Sequence, residues 1–359
     1  FGANQGTEQF TTLENNLVKV TLSNKGGRIV SATLKDYKNQ EGEPLVLFNE
    51  EESAMNFAFE GKNENILTED MFFQPINVSD STVTMRLATT GAGYIDFAYR
   101  LLPESYIVDF SIRANGMQNF FPAAQKTLNI EWYQRARQQE KGFDFEQRYT
   151  SLTYKPVDDG SDYLSEMREE KEAIEEPLEW IAFKNQFFSS VLIAQNNFEN
   201  AVLESVPQEK GSGFMKNYTA EMTTSFDPTG KEATNFQFYL GPNHFKTLLA
   251  SNDLCINKNE DPELEDLVYL GWPLIRWINR WFTINLFDWL SGWGLNMGIV
   301  LLLMTLIVKA LVYPATYKSF ISSAKMRALR PYIQKINEKY PKQEDALKKQ
   351  QETMALYSQ

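Results

Sequence analysis

The sequence predicts a mainly β chain, a large antiparallel sandwich followed by a helical membrane region and a helical hairpin. Three observations predict it: two-residue alternation of apolar and polar side chains from Leu17 to about Leu240, a tryptophan cluster after it, and one long apolar run beyond the cluster. A hydrophobic content of 43% over 359 residues gives ample material for a large core, so global disorder is excluded.

The alternation begins at Val18, Val20 and Leu22, set against Lys19, Thr21 and Ser23. Asn24-Lys25-Gly26-Gly27 then supplies turn chemistry before Arg28-Ile29-Val30, which predicts a hairpin. The pattern recurs at Val83, Met85 and Leu87, at Val108, Phe110 and Ile112, and at Phe236, Phe238 and Leu240. Many strands with few helices point to a sandwich. The stretch Asp158 to Glu176 interrupts the pattern with charge and is expected to be a solvated excursion, part loop and part exposed helix; a cation site in its acids ranks far behind. After Gly241-Pro242 the spacing of Phe245, Leu248 and Leu249 turns helical, and Asn257 to Asp266 reads as a polar linker.

Charge divides the chain as well. From Glu265 onward there are twelve Lys/Arg and seven Asp/Glu, which leaves 23 against 40 before it, so the first part carries −17 and the last +5. Two environments are implied, a freely solvated acidic part and a basic end suited to anionic lipid or nucleic acid. Cys255 is the only cysteine, which excludes an intrachain disulfide and a cysteine-based metal site. Phe1 is not followed by a signal core, and the chain is expected to be a fragment.

Five of the seven tryptophans, Trp272, Trp277, Trp281, Trp289 and Trp293, precede the apolar run, as an interfacial aromatic belt would. Leu274, Trp277, Ile278, Trp281 and Phe282 share one helical face while Arg276, Asn279, Arg280 and Thr283 share the other, which predicts an amphipathic helix on the membrane surface. Gly294 to Tyr313 is then long enough, at about 30 Å of helix, to cross the hydrocarbon. The basic flank beyond it places that end in the cytoplasm and the acidic sandwich outside, in the periplasm of a Gram-negative cell.

Lys309 is the one charge inside the span. Two interpretations stand side by side. Its stem could carry the ammonium about 6 Å to the interface near Tyr313, or it could serve a wet groove on the face it shares with Gly298, Leu302 and Thr305. Pro314 is expected to end the span, and Pro331 to kink the helix that follows or to open a new one. Met326, Leu329, Ile333, Ile336 and Tyr340 recur as a seam for a partner helix. Beyond Tyr340-Pro341-Lys342, Leu347, Met354 and Tyr357 are expected to form the matching face of that partner.

The stretch Trp293-Gly294-Leu295-Asn296-Met297-Gly298-Ile299, with Leu303 to Lys309, Tyr313-Pro314, Ser322 to Arg327, Leu329-Arg330-Pro331 and Met354 to Tyr357, resembles the YidC/Oxa/Alb family of membrane-protein insertases. The likeness is specific from about Gly271 onward and looser before it, where it rests on Ser23 to Gly27, Pro177 to Ala182 and Gly241-Pro242. It implies a galactose mutarotase-like β-super-sandwich over 1–264, an interfacial helix over 265–293, a span over 294–313 and a cytoplasmic hairpin, cut short, over 314–359. Further spans are implied beyond, in a multi-pass protein of the bacterial inner membrane.

The resemblance assigns a substrate groove to Lys309, where the family usually has Arg, with Thr305 as its neighbour. Lysine keeps the charge but not the planar fork. The tryptophan density marks Trp277, Trp281, Trp289 and Trp293 as interfacial anchors, and the resemblance adds a mobile receiver at Met326, Arg327, Leu329, Arg330 and Pro331. Nascent membrane proteins, the Sec translocon, the ribosome and the lipid bilayer are the partners implied, with no DNA, cofactor, metal or covalent chemistry. The competing interpretation, a membrane-anchored periplasmic scaffold or sugar-binding domain, has only His244 to offer for acid–base work on a sugar, and that residue reads as structural.

Overall fold

The computed structural model describes residues 2–122, 124–257, 262–341 and 345–357, so Lys258 to Asp261 of the expected linker and Lys342 of the expected hairpin break lie outside them. The chain forms two compact units, Phe1–Tyr269 and Leu270–Gln359.

The first unit is built of three antiparallel sheets. A four-stranded sheet runs through Phe10–Glu14, Val18–Ser23, Arg28–Lys38 and Pro44–Phe48. A nine-stranded sheet runs from edge to edge through Asp162–Tyr163, Ser151–Pro156, Leu178–Lys184, Phe188–Phe198, Thr234–Pro242, Ile107–Asn115, Tyr94–Leu101, Thr82–Ala88 and Gln74–Ile76. The third sheet has six strands, Glu170–Ile174, Asn200–Pro207, Phe214–Ser225, Thr127–Arg137, Ser53–Glu60 and Asn65–Leu67.

Alternation decides which face turns inward in many strands, whereas Ser151–Pro156, Leu178–Lys184 and most of Thr234–Pro242 are buried on both faces. Val18, Val20, Leu22, Val83, Met85, Leu87, Val108, Phe110, Ile112, Phe236, Phe238 and Leu240 are all buried, as their period of two requires. The core between the large sheets is aromatic. Phe110 stacks on Tyr99 at 4.5 Å and 9° within the nine-stranded sheet, and Phe57 of the six-stranded sheet meets Phe110 edge-on at 5.6 Å. Trp132 stacks on Phe183 at 3.8 Å across the same interface. The four-stranded sheet joins through the buried Tyr99 hydroxyl, which donates to the Gly27 carbonyl at 2.7 Å. Gly26 and Gly27 form the expected hairpin turn at φ of 78° and 63°, and a Cβ on Gly27 would lie 3.0 Å from the Phe73 ring, so that position needs glycine on two counts.

Two short strands, and no helix, replace the part-helical excursion expected over Asp158 to Glu176. Glu170–Ile174 is an edge strand with a single neighbour, Asn200–Pro207, so only Ile174 faces the core while Lys171 pairs with Glu204 at 3.6 Å. Charge at a sheet edge is tolerated and hides the alternation. The α-helices among the described residues are α1 (Phe143–Gln147), α2 (Phe245–Asn252), α3 (Pro273–Ile278), α4 (Ile284–Ser291), α5 (Met297–Lys339) and α6 (Ala346–Tyr357). Residues 265–267, the head of the expected interfacial helix, instead belong to a 3₁₀ turn of the first unit, Leu264–Leu267, where Leu264 and Leu267 are both buried.

In the second unit, α3 starts with Pro273 at its first position and continues through a five-residue π turn, Asn279–Thr283, into α4. Neither proline stops α5. Pro314 and Pro331 both lie inside its 43 residues, where each removes one rung of the ladder without ending it.

Three buried ionisable groups make the stability of the first unit depend on pH. Burial pushes the Lys184 and Lys216 ammonium groups down to about 8, although Lys216 donates to the Ser165 and Glu166 carbonyls at 3.1 and 2.6 Å. Burial likewise raises Glu146 to about 7, against the opposing bonds it accepts from the Gln139 and Glu140 amides. The carboxyl binds its proton more tightly in the folded state, so its contribution is complete below its ordinary 4.5 and is lost as pH rises through 7. The lysines hold theirs less tightly, so their contribution is complete above 10.5 and is lost as pH falls through 8. Urea unfolding followed by β-sheet circular dichroism is expected to show lowest stability between these limits, near pH 7 to 8. Lys184→Met should flatten the alkaline rise, and Glu146→Gln the acid rise; unchanged limbs would show that these groups are not responsible.

Candidate membrane-insertion site

Asn296 opens α5 by accepting the Gly298 N–H on its side-chain oxygen at 2.9 Å, satisfying one of the orphan donors of the first turn. From there α5 is the one helix among the described residues long and apolar enough to cross a membrane, and almost all of that stretch is exposed. Leu302, Leu306 and Leu311 stand more than half exposed. A leucine surface of this kind is what hydrocarbon covers.

Thr305 and Lys309 lie one helical turn apart on this surface, and both are exposed. The Thr305 hydroxyl donates to the Leu301 carbonyl at 2.8 Å, so it is satisfied within its own helix and does not hold Lys309. The helix thus brings the two residues together on one face.

Trp277 and Trp281 turn outward with 63% and 65% exposure, on the same side as Leu274 and Ile278. Trp289 and Trp293 meet edge to face at 4.6 Å and are also more than half exposed. On the polar side the Asn279 amide donates to the Leu270 carbonyl at 3.1 Å, which ties the π turn to the start of the unit. An extra residue per turn rotates everything after it relative to a regular helix. Nothing in the residue spacing signals that turn.

Of the predicted hairpin residues, Arg327, Arg330 and Pro331 are exposed, Met326 is exposed at the far end and Leu329 is half-buried. Ile333, Ile336 and Tyr340 are half-buried with Leu329, so most of the expected seam on α5 exists. The α6 side differs from the expectation. Leu347, Met354 and Tyr357 are exposed, and Lys349, Glu352, Thr353 and Leu356 turn inward instead. Glu352 sets that rotation, accepting from the Lys339 ammonium and from the Tyr340 hydroxyl, each at 2.8 Å. These hydrogen bonds also lower the Glu352 pKa, Lys339 most and Tyr340 next. A contact between residues 13 apart in sequence has no periodic signature, which is why Glu352 was not among the predicted residues.

His244 sits just before α2, where its Nδ1 pairs with the Thr247 hydroxyl at 2.8 Å, a local contact of a helix start.

The family model for the YidC periplasmic domain matches residues 11–284, and that for the 60Kd inner membrane protein matches residues 289–359. The chain belongs to the YidC family. The membrane protein insertase YidC of Phocaeicola vulgatus is 74% identical over 100% of this chain, which spans 58% of that relative. The namesake from Porphyromonas gingivalis strain W83 is 40% identical over 99% of the chain and 57% of its own length. A galactose mutarotase-like protein from Lactobacillus casei covers 65% of this chain and 100% of its own, at 12% identity and a TM-score of 0.44. The chain therefore spans a little more than half the length of the curated YidC relatives it matches.

Removing the carboxylate that fixes α6 should loosen the hairpin. Glu352→Gln is expected to raise amide hydrogen exchange across Ala346–Tyr357 several-fold while leaving the β unit unchanged. Equal exchange in both proteins would show that the seam alone holds α6.

Proposed function

We propose that the chain is the greater part of a membrane-protein insertase and chaperone of the bacterial inner membrane, acting on nascent membrane proteins without covalent chemistry. The observation that carries this is the 74% identity, over the whole chain, to a protein named membrane protein insertase. The exposed apolar stretch of α5, with Lys309 the one charge inside the expected span, gives the proposal its physical content.

Moving the hydrophilic flank of a substrate across hydrocarbon leaves polar groups unsatisfied, at a cost of several kcal/mol each, on the order expected for unpaired amides in apolar solvent. A helix face carrying Lys309 and Thr305 offers that flank a cation and a hydroxyl at membrane depth. In the complete protein, further spans would close this face into a groove. Trp277, Trp281, Trp289 and Trp293 would hold the preceding helices at the headgroup level. The exposed Lys325, Arg327, Arg330 and Lys335 support a cytoplasmic side for the hairpin, with the first unit in the periplasm. Met326, Leu329 and Pro331 would lie on the arm that receives substrate. The Sec translocon and the ribosome are proposed partners, the latter through that basic face.

The test uses the full-length protein in cells depleted of their own insertase, following protease protection of a small single-span substrate. Wild type and Lys309→Arg are expected to restore insertion, with Lys309→Ala reduced tenfold or more, about the effect of losing one charge-assisted contact of 1.5–3 kcal/mol. Restoration by all three would assign Lys309 to snorkelling, and failure of well-expressed wild type would reject the insertase.

A further inference from the structure

At one corner of the first unit four aromatic side chains converge without entering the core. Phe145, in α1, meets Tyr149 at 5.3 Å, and Tyr149 meets Tyr269 at 6.4 Å. Tyr163, in the edge strand of the nine-stranded sheet, is brought to the same corner by Ser161, two residues before it, whose hydroxyl donates to Asp266, three residues before Tyr269, at 3.2 Å. Phe145, Tyr163 and Tyr269 are 56%, 52% and 64% exposed, so the patch is open to its surroundings.

Its position follows from how the chain leaves the unit. The fully buried Trp180 donates its indole N–H to the Pro262 carbonyl at 2.6 Å, Ser161 bonds Asp266 at 3.2 Å, and Asn252 donates to Glu265 at 2.6 Å. The exit segment is thereby fastened to the sandwich, and Tyr269 is its last residue. Trp272, the first of the tryptophan series, follows three residues later, no more than about 10 Å of extended chain.

We propose that this corner is a lipid-docking surface, by which the sandwich rests on the headgroup layer of the bilayer that α3 and α4 occupy. The proposal depends on the membrane reading of those helices. Three of the four rings are tyrosines, which combine an apolar ring with a polar tip and suit the boundary between acyl chains and headgroups. The exposed Lys141 and Arg148 beside them suit anionic lipid. Carboxylates face the patch as well: Glu166 and Asp162 lie near Tyr163, Asp162 accepts the Tyr163 N–H at 2.8 Å, and Asp144 pairs with Lys210 at 3.1 Å, so the rings rather than net charge carry the docking. Chain continuity with the tryptophan series argues for lipid over a protein partner.

The experiment uses the full chain in vesicles of phosphatidylethanolamine with a minority of phosphatidylglycerol. Cys255→Ser removes the only native thiol, and single spin labels are placed at Phe145→Cys, Tyr163→Cys, Leu274→Cys or Val78→Cys. Val78 is exposed just past the opposite edge of the nine-stranded sheet, roughly 40 Å away at about 4.8 Å per strand. Labels at 145, 163 and 274 are expected to gain collisions with oxygen and to lose several-fold those with a water-soluble nickel chelate, relative to the label at 78. Labels at 145 and 163 as open to nickel as that at 78, with 274 shielded, would overturn the docking surface and leave the membrane helix standing. An open label at 274 would reject the membrane reading and the proposal together. Shielding of 145 and 163 from both relaxants would mark a protein contact, which also overturns it.

Discussion

The first unit depends on the meeting of two aromatic sheet faces. Phe110 and Tyr99 on one sheet and Phe57 on the other form one cluster, extended toward Phe183 by Trp132. Rings of this size each bury on the order of 200 Å² and fill much of an interior about 10 Å thick, beside the aliphatic side chains. Everything peripheral is arranged around that contact. The four-stranded sheet is fastened by the hydroxyl of Tyr99, whose ring lies in the cluster, and the exit segment by the indole of Trp180. In both cases an aromatic residue fills the core with its body and spends its polar atom on a buried backbone carbonyl of a separate segment.

The second unit obeys a different constraint. Its helices satisfy their own backbone, and its large side chains turn outward, so its surface is the inverse of the first. Such a surface is stable only in a medium that accepts Leu, Ile and Trp, with hydrocarbon and headgroups the natural fit. Within it Lys309 stands out because nothing about a plain anchor requires a cation at that position. The 43-residue α5 couples the two ends of the unit, since one continuous rod carries both the apolar stretch and the basic seam of the hairpin.

Three hydrogen bonds fasten Pro262 to Asp266 within the first unit, from Trp180 of the nine-stranded sheet, from Ser161 and from Asn252 of α2. The aromatic corner at Tyr269 lies where that fastening ends.

Much of this was legible in the residues themselves. The period-two runs at Val18, Val83 and Val108 determined which faces are buried, because a strand places alternate side chains on opposite sides whatever its partners, while the strand of Phe236 proved buried on both faces. The tryptophan spacing and the apolar run determined the outward-facing helices, because composition alone decides which solvent a surface prefers. The glycine turn at Gly26-Gly27 was equally local. What only the tertiary structure decided were features set by a distant partner. Glu170–Ile174 is a strand because Asn200–Pro207 supplies its hydrogen bonds, and its own charges conceal the fact. Helix α6 turns Glu352 inward and Leu347, Met354 and Tyr357 outward because Lys339 and Tyr340 bind that carboxylate. The aromatic corner joins Phe145, Tyr149, Tyr163 and Tyr269 from three separate segments, and no periodicity within any of them could have announced it.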